Sequence, residues 1–328
     1  MRRTLTVLTT LSAATWAITG CADTPLGSLG SDDANLESSM DSSYGDFTDT
    51  HQESMEGAVY AGDDRDGDGA LDLAPLEGNA SLPVAWGRRP SGPMRRVVET
   101  FYPDPRHAES TIRRTMHGRL YVDRSDDGIR NPGVKGFADD WKRSTRFVRL
   151  DDDEWRMTSI TPAQIRLANR DAQTVFIENV TIWVDGAEAV SIDDPNAFLE
   201  FPADLPVAAP GQILRVEAAV GNTDQEWTPS QWVYLHTQGR RIRDWDDDGA
   251  PQDRPLCHRF RMSDNGERGD RVPGDGIYTI EMELKGDRPL ARAVIDVIAS
   301  ETLMSEFGDD YNSTAWGIPF LVRPPEGE

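Results

Sequence analysis

Lysine and cysteine are nearly missing from this 328-residue chain, and histidine is sparse. Only Lys135, Lys142 and Lys285 are lysines, so 31 of the 34 basic residues are arginines, and against 57 acids they leave a formal charge of −23. So acidic a surface excludes nucleic acid as the expected partner, because that binding rests on neutralising phosphates with a basic face. The two cysteines, Cys21 and Cys257, allow one intrachain disulfide at most, and none if Cys21 is modified. Stability is then expected from packed cores, aided by any bound metal. A lone thiol at Cys257 reads as buried and inert.

The motifs of several common chemistries are absent too. There is no Gly-x-x-x-x-Gly-Lys-Ser/Thr loop, no Gly-x-Ser-x-Gly and no His-Glu-x-x-His, which argues against nucleotide, serine-hydrolase and zinc-peptidase readings. His51, His107, His117, His236 and His258 are scattered without ligand spacing and are expected as surface or capped side chains. Paired acids such as Asp139-Asp140 and Asp151 to Glu154 offer the two carboxylates a glycosidase needs. In a chain this acidic such runs are expected to be solvated turns, so no catalytic residue is assigned. The alternative is a carbohydrate-active hydrolase using acids of residues 80–195. Trp141, Trp155, Trp183, Trp227, Trp232, Trp245 and Trp316 suit a sugar-stacking platform chemically, but spread over the chain they are expected in cores.

What is present begins at the amino terminus. Arg2 and Arg3 precede an apolar run, Leu5 to Ile18, broken only by Thr and Ser and followed by small residues. Residues 1–20 thus read as a signal peptide, too short for a comfortable membrane span. Its end, Ile18-Thr19-Gly20-Cys21, resembles the lipobox of bacterial lipoproteins. That resemblance implies cleavage before Cys21, lipidation of its sulfur by palmitate-type chains and acylation of the new amino terminus. Two or three chains anchor firmly where one is marginal. Alanine at position 22, where the family's sorting rule looks for aspartate, implies delivery to the outer membrane in a cell that has one. Residues 1–20 hold two arginines and no acid, so their loss takes the charge to −25.

Residues 21–60 are rich in Ser, Asp, Gly and Thr and poor in large apolar side chains, so they are expected to be a disordered acidic tether. Fifteen acids face a single base, Arg65, between Asp23 and Glu77. Their repulsion extends the tether and holds the folded part off an anionic membrane.

Three acidic loops carry calcium-type patterns. In the first, within residues 61–79, Asp64, Asp66, Asp68 and Asp72 take loop positions 1, 3, 5 and 9 with Gly69 at the turn. Hard cations are wrapped by such alternating oxygens. It resembles the Asp-rich loops of thrombospondin type 3 repeats and dockerins, but Pro75 stands where an EF-hand has its bidentate glutamate. In the second, Asp244, Asp246 and Asp248 repeat the alternation before Gly249, and a solvated hairpin loop explains them as well. The third, Asp264 to Thr279, includes Asp264, Asp270 and Asp275 among four glycines. It resembles a signature that recurs in immunoglobulin-like domains of bacterial surface proteins. Its acids can bind Ca²⁺ or cap nearby backbone N–H groups, and both readings stay open.

Period-two alternation dominates the remainder, which predicts a mainly β protein. Residues 196–328 read as an immunoglobulin-like antiparallel β-sandwich, with Leu214, Val216, Ala218 and Val220 on one face and Tyr278, Ile280, Met282 and Leu284 on another. Residues 80–195 read as a β-rich or α+β domain. In it Arg119–Val122, Arg146–Leu150, Glu154–Ile160 and Val175–Val184 are strands, the last with Phe176, Val180, Ile182 and Val184 on one side. A short helix is expected over Pro162–Asn169, with Thr161 as its cap. The hairpin around Asp151-Asp152-Asp153 and Trp155 resembles the closing strands of nuclear-transport-factor-2-like α+β cones. Together these features lead us to expect a membrane-anchored, non-catalytic binding or structural module of the cell envelope. Its expected partners are the bilayer, through Cys21, and a protein or glycan, with Ca²⁺ in its loops.

Overall fold

The computed structural model describes residues 2–5, 31–44, 47, 85–91, 95–125, 131–151, 154–245, 251–284 and 292–322. The protein is mainly β and almost wholly antiparallel. The chain starts with β1 (Arg2–Leu5) and α1 (Ser31–Ser42), followed by β2 (Ala85–Pro90), β3 (Arg95–Asp104), β4 (His107–Asp123) and β5 (Gly133–Arg149). Next come β6 (Trp155–Ile160), β7 (Ala163–Leu167), β8 (Val175–Val184), β9 (Ala187–Ile192), β10 (Leu199–Glu200) and β11 (Val207–Ala208). The last part holds β12 (Ile213–Asn222), β13 (Gln231–Trp245), β14 (Pro251–Arg261), β15 (Ile277–Glu283), β16 (Arg292–Ala299), α2 (Ser300–Met304), β17 (Ser313–Pro319) and β18 (Leu321–Val322).

The frame is the long hairpin of β4 and β5, paired from His107 opposite Val148 to Val122 opposite Gly133. Along β4 the even positions point inward, burying Ala108, Ile112, Met116, Leu120 and Val122. The sequence marks only Arg119–Val122 as strand, because Ser110 and Arg114 occupy inward positions and interrupt the apolar alternation. The β5–β6 hairpin forms as expected, with Arg149 opposite Trp155 and the Leu150 N–H donating to the Glu154 carbonyl at 2.8 Å.

Three local expectations differ. The helix expected over Pro162–Asn169 is instead β7, a central strand that pairs with β5 on one side and β17 on the other. Two ladders of hydrogen bonds outweigh a weak capping signal. Phe176 does not share a face with Val180 and Ile182: a β-bulge at Glu178 opposite the Ala219–Val220 step shifts the phase, burying Val175 and Ile177 and leaving Phe176 37% exposed. Third, within the expected tether Ser31–Ser42 forms a helix whose Leu36 and Met40 are buried. Behind it the Tyr44 hydroxyl accepts from the Met157 N–H at 3.1 Å, and the Tyr44 and Phe47 rings meet Phe201 edge-on.

One sheet runs β1-β3-β4-β5-β7-β17-β16-β13-β14, with β2 beside β4, β6 beside β5 and β10 beside β6. A second runs β15-β12-β8-β9 and packs on the first where β8 meets β16 and β17. The boundary expected near residue 195 does not separate these layers, since β8 and β9 before it share a sheet with β12 after it. The faces read from sequence on β12 and β15 are the buried ones. The larger sheet curls until its ends meet: Trp86 on β2 lies 5.3 Å from Tyr234 on β13, and Arg259 on β14 donates to the Trp86 carbonyl at 3.2 Å. β1 pairs with β3 from Leu5 opposite Val98 to Arg2 opposite Phe101, so a chain cut before Cys21 would have β3 at the sheet edge.

Candidate functional site

Of the acidic loops, the structure brings together the third. Between Met262–Ser263, just after β14, and the start of β15, one carboxylate oxygen each from Asp264, Asp270 and Asp275 lie within 4.8 Å of one another. The loop reaches this shape because its acids bind its own backbone. Asp264 accepts from the N–H groups of Gly274 (2.7 Å), Asp275 (3.2 Å) and Gly276 (3.1 Å). Asp270 accepts from Gly266 (2.6 Å) and Val272 (3.1 Å), and Asp275 from Ile277 (2.9 Å). Gly274 and Gly276 flank Asp275 at positive φ, where a side chain would be strained. Burial raises the Asp264 carboxyl above its ordinary value despite those three donors. A divalent cation would offset that cost, and three oxygens so close suit one hard ion with water completing its shell. Each of the three carboxylates also accepts from the loop's own backbone, so the loop is held in shape by itself.

Among the remaining sequence candidates, Asp244 alone is described, and it is not part of this cluster. Cys21, Asp64, Asp66, Asp68, Asp72, Asp246 and Asp248 lie outside the described residues, and Asp244 stands near the end of β13 opposite Gln252. Cys257 stands in β14 opposite Gln238.

Sequence reasoning missed a buried charge cluster where the curled sheet closes. Arg88 on β2 clasps Asp296 on β16 with Nη1–Oδ2 and Nη2–Oδ1 distances of 2.6 and 3.2 Å, and His236 Nε2 on β13 lies 3.0 Å from the same carboxylate. Beside them the Tyr311 hydroxyl donates to Asp139 Oδ2 at 2.8 Å and lies 2.8 Å from Ser313 Oγ. Asp139 and Asp296 are each 1% exposed, so the solvated turn expected at Asp139-Asp140 is wrong for Asp139, whose inward position on β5 puts it under Tyr311. Enclosed this way, the two carboxylates reach no solvent and tie sheet ends together. One signal was legible: Asp296 interrupts the apolar run Ala293–Ala299. Trp141, Trp155, Trp232 and Trp316 are buried as expected of core residues.

The cluster splits two carboxyls in opposite directions. Burial opposes the Asp296 charge, but Arg88 and His236 together hold it well below the usual carboxylate range. Burial lowers the His236 imidazole against the pull of Asp296. Asp139 is pushed up to about 7 by burial, against Arg88 and the Tyr311 hydroxyl. An unfolded aspartate titrates near pH ~3.9, so between there and about pH 7 the folded protein keeps a proton the unfolded chain has lost. Asp139 therefore stabilises at low pH, and stability falls as pH rises through that window by up to about 1.4 kcal/mol per unit. Asp296 has the opposite sign, stabilising above the unfolded value and losing that contribution only in strong acid. Urea melts from pH 4.5 to 7.5 are expected to show a shallower fall in Asp139→Asn than in the wild type. Parallel curves would rule out the buried, protonated Asp139.

Comparison with protein-family profiles, with curated proteins and with solved structures found no match to this chain.

Proposed function

We propose that this chain is a lipid-anchored, extracytoplasmic module of a bacterial envelope that binds or supports a partner without catalysis, its Asp264–Thr279 loop stiffened by Ca²⁺. The observation that carries the anchor is Ile18-Thr19-Gly20-Cys21 directly behind a leader with Arg2, Arg3 and an apolar run. Support for calcium comes from the three carboxylates converging in one loop of a chain with 57 acids. The partner in this reading is a protein or glycan of the outer membrane.

The test expresses the full chain in a lipoprotein-processing bacterium with labelled palmitate. Wild-type protein should take up label and enter the detergent phase, while Cys21→Ser does neither; labelled Cys21→Ser, or unlabelled wild type, overturns the anchor. Calorimetry and melting curves on purified protein address calcium. Binding at millimolar or tighter Kd that raises the Tm, and is lost in Asp270→Ala, is expected. No heat and no shift leave the loop a self-capped turn.

A further inference from the structure

A second polar site opens between the two sheets, lined by none of the acidic loop's residues. A pocket of about 260 Å³ lies among β7, the turn after it, the start of β8 and β17. Arg166 and Arg170 line it on one side, with Phe176 and Trp316 as apolar walls. Its shape follows from the bulge in β8, which turns Phe176 outward to lie over Gly221. A Cβ at 221 would stand 2.3 Å from that ring, so only glycine admits it.

The charge balance of the pocket is the unusual feature. In a chain with 57 acids and 34 bases, neither Arg166 nor Arg170 has a carboxylate within 4.0 Å among the described residues. Asp140 stands opposite Arg166 across the β5–β7 ladder, but its carboxylate accepts from Thr115 at 2.8 Å. Arg166 is held instead by a neutral group: the Gln164 amide, turned to present its oxygen, accepts from Nη2 at 2.6 Å and Nε at 3.1 Å. Burial and the neighbouring Arg170 charge both work against the Arg166 cation. Two cations lining one pocket without a counter-charge are stabilised by an anion between them, and the guanidinium fork suits an oxyanion bidentately. The hydroxyls divide in the same way. Thr314 donates to the Ile165 carbonyl at 3.0 Å and Thr223 to the Thr174 carbonyl at 3.4 Å, whereas the buried Thr174 Oγ1 has no partner. None of the three hydroxyls is therefore open to the pocket, and its polar groups for a ligand are the two arginines.

We propose that this pocket binds a small ligand bearing a carboxylate or other oxyanion, its charge between Arg166 and Arg170 and its body against Phe176. The volume admits a ligand about the size of one sugar acid, below the usual range for drug-sized sites of about 300–1,000 Å³. The site is independent of the lipid anchor and of the calcium loop.

Calorimetry of the full chain at low ionic strength with glucuronate, inorganic phosphate and uncharged glucose tests it. Saturable binding of glucuronate or phosphate at millimolar Kd or tighter is expected, weakening with added salt and absent for glucose. Arg170 is exposed on a short turn, so Arg170→Gln should melt like wild type yet bind at least tenfold more weakly, and Asp270→Ala should bind normally. Arg166→Gln should lose binding as well. Neither oxyanion binding, glucose binding as well as glucuronate, or an unchanged Kd in Arg170→Gln would each overturn the site.

Discussion

Arg88→Ala should lower the unfolding free energy by about 3–5 kcal/mol, read as a shifted urea midpoint at constant slope. The guanidinium makes two bonds to Asp296, whose carboxylate is 1% exposed, and its removal leaves an aspartate in the core with only His236 beside it. Stranding a buried charge costs more than the pair contributes, because desolvation is already spent on both ions. Replacing both partners with apolar residues, as in Arg88→Met with Asp296→Leu, should therefore lose less than Arg88→Ala alone. The deficit should also narrow as pH falls, since a protonated His236 takes over as counter-ion to Asp296. An Arg88→Ala protein within about 1 kcal/mol of wild type would show that Asp296 is relaxed towards water or protonated, and the enclosed cluster would be the wrong picture.

Truncation of Trp141 to alanine is expected to cost about 3–5 kcal/mol as well, by leaving a cavity where three strands join. Trp141 is 1% exposed on β5, between Arg114 on β4 and Ile165 on β7, with the Arg114 guanidinium 5.4 Å from its ring centre. Its indole Nε1 has no hydrogen-bond partner, so the ring's value is volume and contact. Trp141→Phe should thus lose well under half as much as Trp141→Ala in the same urea series. Equal losses would mean that the indole nitrogen holds a bond to buried water, and a small loss for alanine would mean the strands close over the gap.

The legible parts of the protein are those whose signal is local. Alternation at Leu214–Val220 and at Tyr278–Leu284 identified both strands and their buried faces, because side-chain direction in a strand depends on the neighbouring residue alone. The Asp264–Asp275 cluster was legible for the same reason: its acids, glycines and N–H partners all belong to one loop. Failures occurred where a distant segment decides. Ala163–Leu167 is a strand because β5 and β17 lie on either side of it, and Phe176 faces outward because Val220 and Ala219 impose a bulge. Leu36 and Met40 were too few to announce a helix in an acidic stretch, yet a receptive surface buries both.

The sequence by itself determined a mainly β protein with an acidic composition and few sites for disulfide or nucleotide chemistry, since composition and period-two patterning act residue by residue. The tertiary structure alone decided which strands are partners, that Asp139 and Asp296 lie inside, and that Arg166 and Arg170 share a pocket. Those outcomes depend on groups brought together from β2, β5, β13 and β16 for the buried carboxylates and from β7, β8 and β17 for the pocket, and burial sets the cost of a charge only once such neighbours have excluded water.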